Sequence, residues 1–566
     1  YMDYEKSFAQ KHNLKIMAGF NAEKLEYSYL LGQRNVLLDQ AQPELNLARQ
    51  DGQSLGSKHN RRASAGFFGR VNYDYNDIYL LEINGRYDGS SRFPHNAHWA
   101  FFPSVSLGYR FSEEPYFKNL KDVVSNGKLR ASFGKIGNEA VGEYMFEELI
   151  TQLEEKKVYW VDNNKENANL LTMYNMPNLV ASSLTWERIR TTDIGIDLGF
   201  LNNELMVGFD WYQRENRDML APSKVLPQVL GADAPVSNAG TLRTRGWEFT
   251  VDWHHRFGDF NVYANFNLSD SRTKVTKWDN PSMLLNTNYS GKTYGDIWGF
   301  ETDRYFEESD FTGKNPDGTW NYAAGIASQK GLEQGSFHYG PGDVKYKDLD
   351  GSGVIDGGKG TANNHGDLKV IGNFLPRYEY SFHLGGTWKG IDLDLFFQGV
   401  GKRDSWTVSS MNFPLMRDAD LALYAHQTSY NKVNFTADYK TITGYEINQN
   451  NKYPRLFPGN DPKGTISGID NGTNNYYPQS RYLTDMSYLR LKNVTLGYTL
   501  PAELTRKAYI QKARIYFSAS NLFLLHKGND LPVDPEISTG AGLAYGGWGR
   551  TAPITRTFSF GMQVTL

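Results

Sequence analysis

Apolar and polar residues alternate along much of this chain with a period of two. Leu14, Ile16, Ala18 and Phe20 interleave with Lys15, Met17, Gly19 and Asn21, and Val105, Leu107, Tyr109 and Phe111 with Ser104, Ser106, Gly108 and Arg110. Ile391, Leu393, Leu395 and Phe397 interleave with Asp392, Asp394, Phe396 and Gln398; Phe558, Phe560, Met562, Val564 and Leu566 close the chain in the same way. Successive side chains of a strand point to opposite faces, so each segment has one oily face and one polar face. The pattern predicts strands near 13–31, 61–75, 78–92, 98–111, 127–137, 186–200, 204–219, 240–256, 260–276, 376–389, 390–402, 481–499, 512–526 and 553–566, with a further strand end at 1–8. Many exceed the five or six residues usual in soluble strands and reach the roughly nine to eleven that a tilted strand needs to cross hydrocarbon.

A soluble sandwich would alternate too, so the connections decide. Tight turns fall at Tyr75-Asn76-Asp77, Leu201-Asn202-Asn203, Phe257-Gly258-Asp259 and Lys389-Gly390, on the same side as the linkers 112–126 and 500–511. The other side carries 32–60, 138–185, 220–239, 277–375, 403–480 and 527–552, and only 93–97 is short there. Antiparallel strands send successive connections to opposite ends, and short turns at one end with long loops at the other is the outer-membrane barrel pattern. The expected fold is therefore all-β: a transmembrane antiparallel β-barrel contributing about 14–15 strands, with long extracellular loops and Leu566 at the periplasmic end.

Composition narrows the function. The 566 residues carry a formal charge of −3, so no basic field calls for nucleic acid. The absence of cysteine removes a disulfide framework, a thiolate zinc site and a cysteine nucleophile. The 36 tyrosines and 55 glycines suit a turn-rich β protein. No run of 18 apolar residues predicts a transmembrane helix, which does not bear on barrel strands, whose average hydropathy stays low. The opening Tyr1-Met2-Asp3-Tyr4 has no targeting character and reads like the middle of a protein, so an upstream portion is expected.

Several motifs then become recognisable. Gly85-Arg86-Tyr87-Asp88-Gly89-Ser90-Ser91-Arg92-Phe93 followed by Trp99-Ala100-Phe101-Phe102-Pro103-Ser104 resembles the SusC/RagA-like family of TonB-dependent transporters. So do Lys128-Leu129-Arg130-Ala131-Ser132-Phe133-Gly134 with Gly137-Asn138, Asn238-Ala239-Gly240-Thr241-Leu242-Arg243 leading to Gly246-Trp247-Glu248, and Gly342-Asp343-Val344-Lys345-Tyr346-Lys347-Asp348 through Gly353-Val354-Ile355-Asp356. Arg481-Tyr482-Leu483, Ser487-Tyr488-Leu489-Arg490-Leu491-Lys492-Asn493 and Leu496-Gly497-Tyr498 give the clearest match, and Ser520-Asn521-Leu522-Phe523 completes the set. The matches run in family order from about residue 60 to the end.

The resemblance implies a 22-stranded barrel preceded by a plug and a TonB-contacting segment, neither of which has its motifs here. Residues 1–566 then form the C-terminal majority of the barrel, without plug or TonB box. It further implies a non-enzyme of the Gram-negative outer membrane, importing oligosaccharides or peptides. Its partners would be TonB, reached through the missing N-terminal part, a SusD-like surface lipoprotein acting as lid, and outer-membrane lipid, in a dimer of transporter–lipoprotein pairs. A wide lumen left open would leak, so it needs a plug. No nucleotide is hydrolysed at this membrane, so energy must arrive mechanically. The other classes to weigh are a passive porin and a surface scaffold or adhesin barrel.

Two sets of residues carry candidate chemistry. Asp348-Leu349-Asp350-Gly351-Ser352-Gly353-Val354-Ile355-Asp356 matches nine positions of an EF-hand-type loop. Asp348, Asp350 and Ser352 supply oxygens at positions 1, 3 and 5, Gly353 the sharp turn, Val354 a carbonyl, and Asp356 position 9. Lys359 stands where the bidentate Glu belongs, and Asp367 and Asp343 are the acids that could replace it. The expected ion is Ca2+, or Mg2+, in a structural role; an Asp/Gly-rich turn bound to water is the alternative. On the long-loop side, Trp298, Trp406, Tyr476 and Tyr477, with Trp160, Trp320 and Trp548, read either as rings that stack on substrate or as loop packing and interfacial girdle. The adjacent His254-His255 point to opposite strand faces and make no metal pair. Gly540-Ala541-Gly542 and Gly401-Lys402 lack the context of nucleotide loops.

Overall fold

Fifteen strands run antiparallel through one sheet in chain order. They are β1 (Met2–Phe8), β2 (His12–Gln33), β3 (Ser54–Tyr75), β4 (Tyr79–Ser90), β5 (Trp99–Tyr109), β6 (Val124–Asn138), β7 (Glu187–Phe200), β8 (Leu205–Pro222), β9 (Val236–Phe257), β10 (Phe260–Lys277), β11 (Arg377–Trp388), β12 (Ile391–Lys402), β13 (Tyr488–Thr499), β14 (Lys512–Lys527) and β15 (Thr557–Thr565). The computed structural model describes residues 1–50, 52–150, 152–159, 170–174, 177–181, 184–222, 235–335, 337–406, 429–437, 442–455, 474–531, 533–536 and 553–566. Trp160, Trp548 and the 540–547 glycines lie outside the described residues.

The strands and their turns follow from local chemistry. Lys389 and Gly390 both have positive φ, joining Trp388 directly to Ile391 across a two-residue hairpin of the kind whose twist matches its strands. Asn76 and Asp77 take positive φ at the Tyr75–Tyr79 turn. One expected strand is shorter than its alternation suggests: β13 starts at Tyr488, not near 481. Residues before it are drawn into the loops, where Tyr482 is buried and Thr484–Asp485 pairs with Asp404–Ser405.

Register sorts the side chains into two faces. Across β6–β10 one row reads Leu129, Ile196, Phe209, Phe249, Leu268, and the neighbouring row on the other face Arg130, Gly195, Asp210, Glu248, Ser269. The apolar face leaves large side chains open, among them Ile194, Phe209, Leu496, Phe560 and Met562. A continuous apolar face of this size needs lipid against it. Aromatic rings bound it at both ends: Tyr75, Tyr79 and Tyr109 towards the short turns, and Phe20, Phe67, Tyr87 and Trp99 towards the long loops. Tyr109 and Trp99 are ten residues apart on β5, roughly 33 Å along the strand and about 25 Å along the membrane normal at a tilt near 40°, the height of an outer-membrane apolar band.

The polar face is knitted by cross-strand charge pairs. Arg130 binds Asp197 through two bonds of 2.7 and 2.8 Å and reaches Asp210 at 2.9 Å. Arg514 Nε donates to Asp392 at 2.9 Å, and His383 and Tyr263 converge on Asp394. These pairs hold adjacent strands in register while keeping the inner wall hydrophilic. No helix among the described residues is long and apolar enough to cross a membrane, which says nothing of the strands.

Candidate functional site

The two longest connections, after β10 and after β12, fold into one body with its own core. Short two-stranded antiparallel ladders organise it: Asp296–Phe300 with Leu368–Asn373, Thr302–Tyr305 with Val344–Tyr346, Phe311–Lys314 with Trp320–Tyr322, and Lys432–Phe435 with Ile442–Glu446. Phe300, Tyr305, Val344, Tyr346, Ile355, Trp406, Tyr453, Tyr476 and Tyr482 pack as one buried cluster drawn from both connections. Phe306, Phe311, Phe337 and Tyr339 form a second. Buried hydroxyls need partners; Tyr339 and Tyr305 have them, whereas the Tyr322 hydroxyl beside the second cluster has none among the described residues. Tyr339 Oη donates to the Asn474 carbonyl at 2.6 Å and Tyr305 Oη to the Asn451 carbonyl at 3.0 Å. Burial pushes the phenols of Tyr339, Tyr346, Tyr476 and Tyr482 well up, so all stay neutral donors.

A buried ion pair ties the two connections together. Arg455 meets Asp343 in a two-pronged contact, Nε to Oδ1 at 2.9 Å and the guanidinium NH2 to Oδ2 at 2.6 Å, with side chains 5% and 0% exposed. Asp343 also accepts from Asn475 Nδ2 at 2.9 Å and from the Gly340 amide at 2.8 Å. At the surface of the same body, Glu301 accepts from Lys347 at 2.6 Å and from Lys369, and the two ammonium groups hold its carboxyl down to about 2.

The expected substrate rings end in different places. Trp406 and Tyr476 lie in the buried cluster, 7% and 6% exposed, so their packing partner is this loop body. Tyr477 is half-buried; its hydroxyl donates to the Leu332 carbonyl at 2.9 Å and accepts from Gln334 at 2.7 Å. Trp298 is half-buried beside His365, ring centroids 5.3 Å apart. Alternation could not separate these cases, because loop rings follow no period. What the sequence did not disclose is a polar cleft of about 620 Å³ lined by Asn450, Asn451, Arg481, Thr484, Asn529 and Asp530. Lys452, also lining it, pairs with Asp530 at 2.8 Å.

The acidic loop is partly assembled. Carboxylate oxygens of Asp348, Asp350 and Asp367 lie within 4.8 Å of one another, and Asp356 stands outside that group. Asp348 accepts the Gly351 and Gly353 amides at 2.7 and 2.9 Å, and Ser352 Oγ donates to the Val354 carbonyl at 2.9 Å. Hydrogen bonds from Ser352 hold the Asp350 carboxyl below its ordinary range. Asp367 is the acid that joins from outside the nine positions. Asp343 does not, since Arg455 holds it elsewhere. Asp356 accepts the Gly358 amide at 2.7 Å.

Comparison with known proteins places this architecture. The family described as TonB dependent receptor-like, beta-barrel matches residues 3–449. The chain belongs to that family. It is 28% identical to TonB-dependent receptor P3 of Formosa agariphila over 596 aligned residues, covering 100% of this chain and 51% of that protein. It is 25% identical to TonB-dependent receptor SusC of Bacteroides thetaiotaomicron, over 85% of this chain and 42% of SusC. The fold matches a solved structure of the RagAB peptide transporter with a TM-score of 0.71 at 20% identity, covering 99% of this chain and 54% of that one. The chain spans about half the length of the curated relatives it matches. As a member of that family it is an outer-membrane β-barrel protein, as its motifs and loop sorting implied.

Proposed function

We propose that this chain is the wall and loop body of an active importer of oligosaccharides or peptides, powered through TonB and covered by a SusD-like lipoprotein. The observation that carries it is the pairing of a hydrophilic, charge-laced inner wall with long connections condensed into a single body. A passive pore for small solutes has no use for such a body, whereas capture of a large polar ligand does. The cleft is lined by groups of the kind that bind sugar hydroxyls or peptide carbonyls, with Asn450 exposed in it, while Asn451, Asn529 and Arg481 already donate to Asn431, the Asp485 carbonyl and the Gln449 carbonyl. Membership beside SusC and a fold like RagAB support the same reading.

Uptake of labelled oligosaccharides and peptides by cells expressing the full-length protein should fall to background when TonB is deleted. Mass spectrometry of the gently solubilised complex should find a SusD-like lipoprotein. Uptake that persists without TonB would favour the porin reading.

The acidic loop would hold a structural Ca2+, with Asp348, Asp350 and Asp367 as the core of the donor set. Three converging carboxylates repel, and a divalent ion would remove that repulsion and stiffen the loop. Calcium titrated into the full-length protein should bind in the range of about 0.1–1 mM, weak because the twelfth-position Glu is missing. Asp367→Asn should weaken this at least about tenfold and Asp356→Asn much less. No binding up to about 10 mM would leave only a hydrated turn.

A further inference from the structure

The apolar face does not end in neutral residues on the loop side. Following register upward across β6–β10, the row Ala131, Ile194, Trp211, Trp247 is succeeded by Phe133, Thr192, Gln213, Arg245, Arg272. The row above reads Lys135, Arg190, Glu215, Arg243, Lys274. These cations share the lipid-facing parity of Phe209 and Phe249 two and three rows below. Arg190 confirms the face directly, its guanidinium lying over the Phe133 ring at 4.8 Å.

The patch is under-neutralised. Glu215 is buried and already accepts from Arg243 at 2.8 Å and Arg217 at 2.6 Å. Arg245 Nε donates to the neutral Gln213 at 2.8 Å. Among the described residues, Lys135, Arg190, Arg245, Arg272 and Lys274 make no ion pair. Asp270, one row below, is taken by Arg377.

Height fixes what such a patch meets. Leu205, beside the short-turn end, and Glu215, in the cationic row, are ten residues apart on β8. That separation is again about 25 Å along the normal, the full apolar band. Arg190, ten residues from Phe200, therefore stands at headgroup level in the loop-side leaflet, and Arg245 and Arg272, each twelve residues from the short-turn ends Phe257 and Phe260, stand at or just above it, beyond the indoles of Trp211 and Trp247.

We propose that this patch is a binding site for the phosphate groups of a phosphorylated glycolipid in the loop-side leaflet. Guanidinium forks match phosphate oxygens two at a time, and Arg190 on β7, Arg245 on β9 and Arg272 on β10 present three forks within four consecutive strands. The acyl chains of the same lipid would continue down the apolar rows below. A nonspecific snorkelling ring would need only single cations scattered around the barrel, whereas these are clustered on β6, β7, β9 and β10, with Glu215 the one carboxylate in their two rows.

The test uses the full-length transporter in mild detergent, titrated with a bis-phosphorylated lipid A and, separately, with its enzymatically dephosphorylated form, bound lipid being counted by native mass spectrometry. The phosphorylated form should bind and the dephosphorylated form should not. The triple variant Arg190→Gln/Arg245→Gln/Arg272→Gln should weaken binding roughly a hundredfold, each cation being worth about a factor of five near a charged surface. The all-lysine triple variant, which keeps the charge and loses the forks, should lie between. Neutralising Arg256 and Lys389 at the short-turn end should change nothing. Inorganic phosphate at the same phosphate concentration should not displace the lipid; if it does, the site takes free phosphate and the lipid assignment falls. Equal binding of both lipid forms, or an unaffected glutamine variant that retains its barrel fold, would overturn the proposal.

Discussion

Arg455→Met is expected to loosen the loop body by about 3–5 kcal/mol while leaving the barrel intact. The variant strands Asp343, which is fully buried, without its cation, although Asn475 and the Gly340 amide still donate to it. Breaking one side of a buried pair costs more than the pair contributes, because an uncompensated charge remains in low dielectric. Asp343→Asn should have a similar effect from the other side. The double replacement Asp343→Asn/Arg455→Met should recover much of the loss, since it removes both charges. Hydrogen exchange across 300–355, 442–455 and 474–487 reads the effect as opening accelerated by about two to four orders of magnitude. Unchanged exchange in both single variants would show that the aromatic clusters alone hold the two connections together.

Phe249→Arg should destabilise the barrel by about 2–4 kcal/mol, and Glu248→Arg should be close to neutral. The two positions are adjacent on β9 and project to opposite faces. Phe249 lies midway up the apolar rows, between Trp253 towards the short turns and Arg245 towards the loops, so its replacement would place a cation near the bilayer midplane. Glu248 faces the inner wall opposite Asp210, where an added guanidinium finds a carboxylate and water. Equilibrium unfolding from lipid vesicles in denaturant measures both. Equal costs, or a larger cost at Glu248, would invert the assignment of faces.

The wall of this protein was largely legible from its residues. Strand positions followed from side-chain alternation, which depends on nothing beyond neighbouring residues. The sorting of short turns from long loops then distinguished a membrane barrel from a sandwich without any knowledge of pairing partners. The basic pairs Arg243/Arg245 and Arg272/Lys274 and the single Lys135 and Arg190 were equally visible in the sequence, but only register showed that they form one patch.

The loops were not legible in this way. Whether Trp406 or Tyr476 faces solvent or core depends on Tyr305, Tyr346 and Tyr453, which lie far away in sequence and share no period with them. The pairing of Asp343 with Arg455 spans 112 residues, and no local rule selects that acid over Asp367 for the arginine or for the cation loop. Sequence alone determined the alternation, the turns and the membrane-spanning wall, because those are set within a few residues by backbone geometry and the demand of lipid for an apolar face. Tertiary structure alone decided which loop rings are buried, which acids converge and which cations stand unpaired, because those outcomes depend on chain segments that meet only after folding.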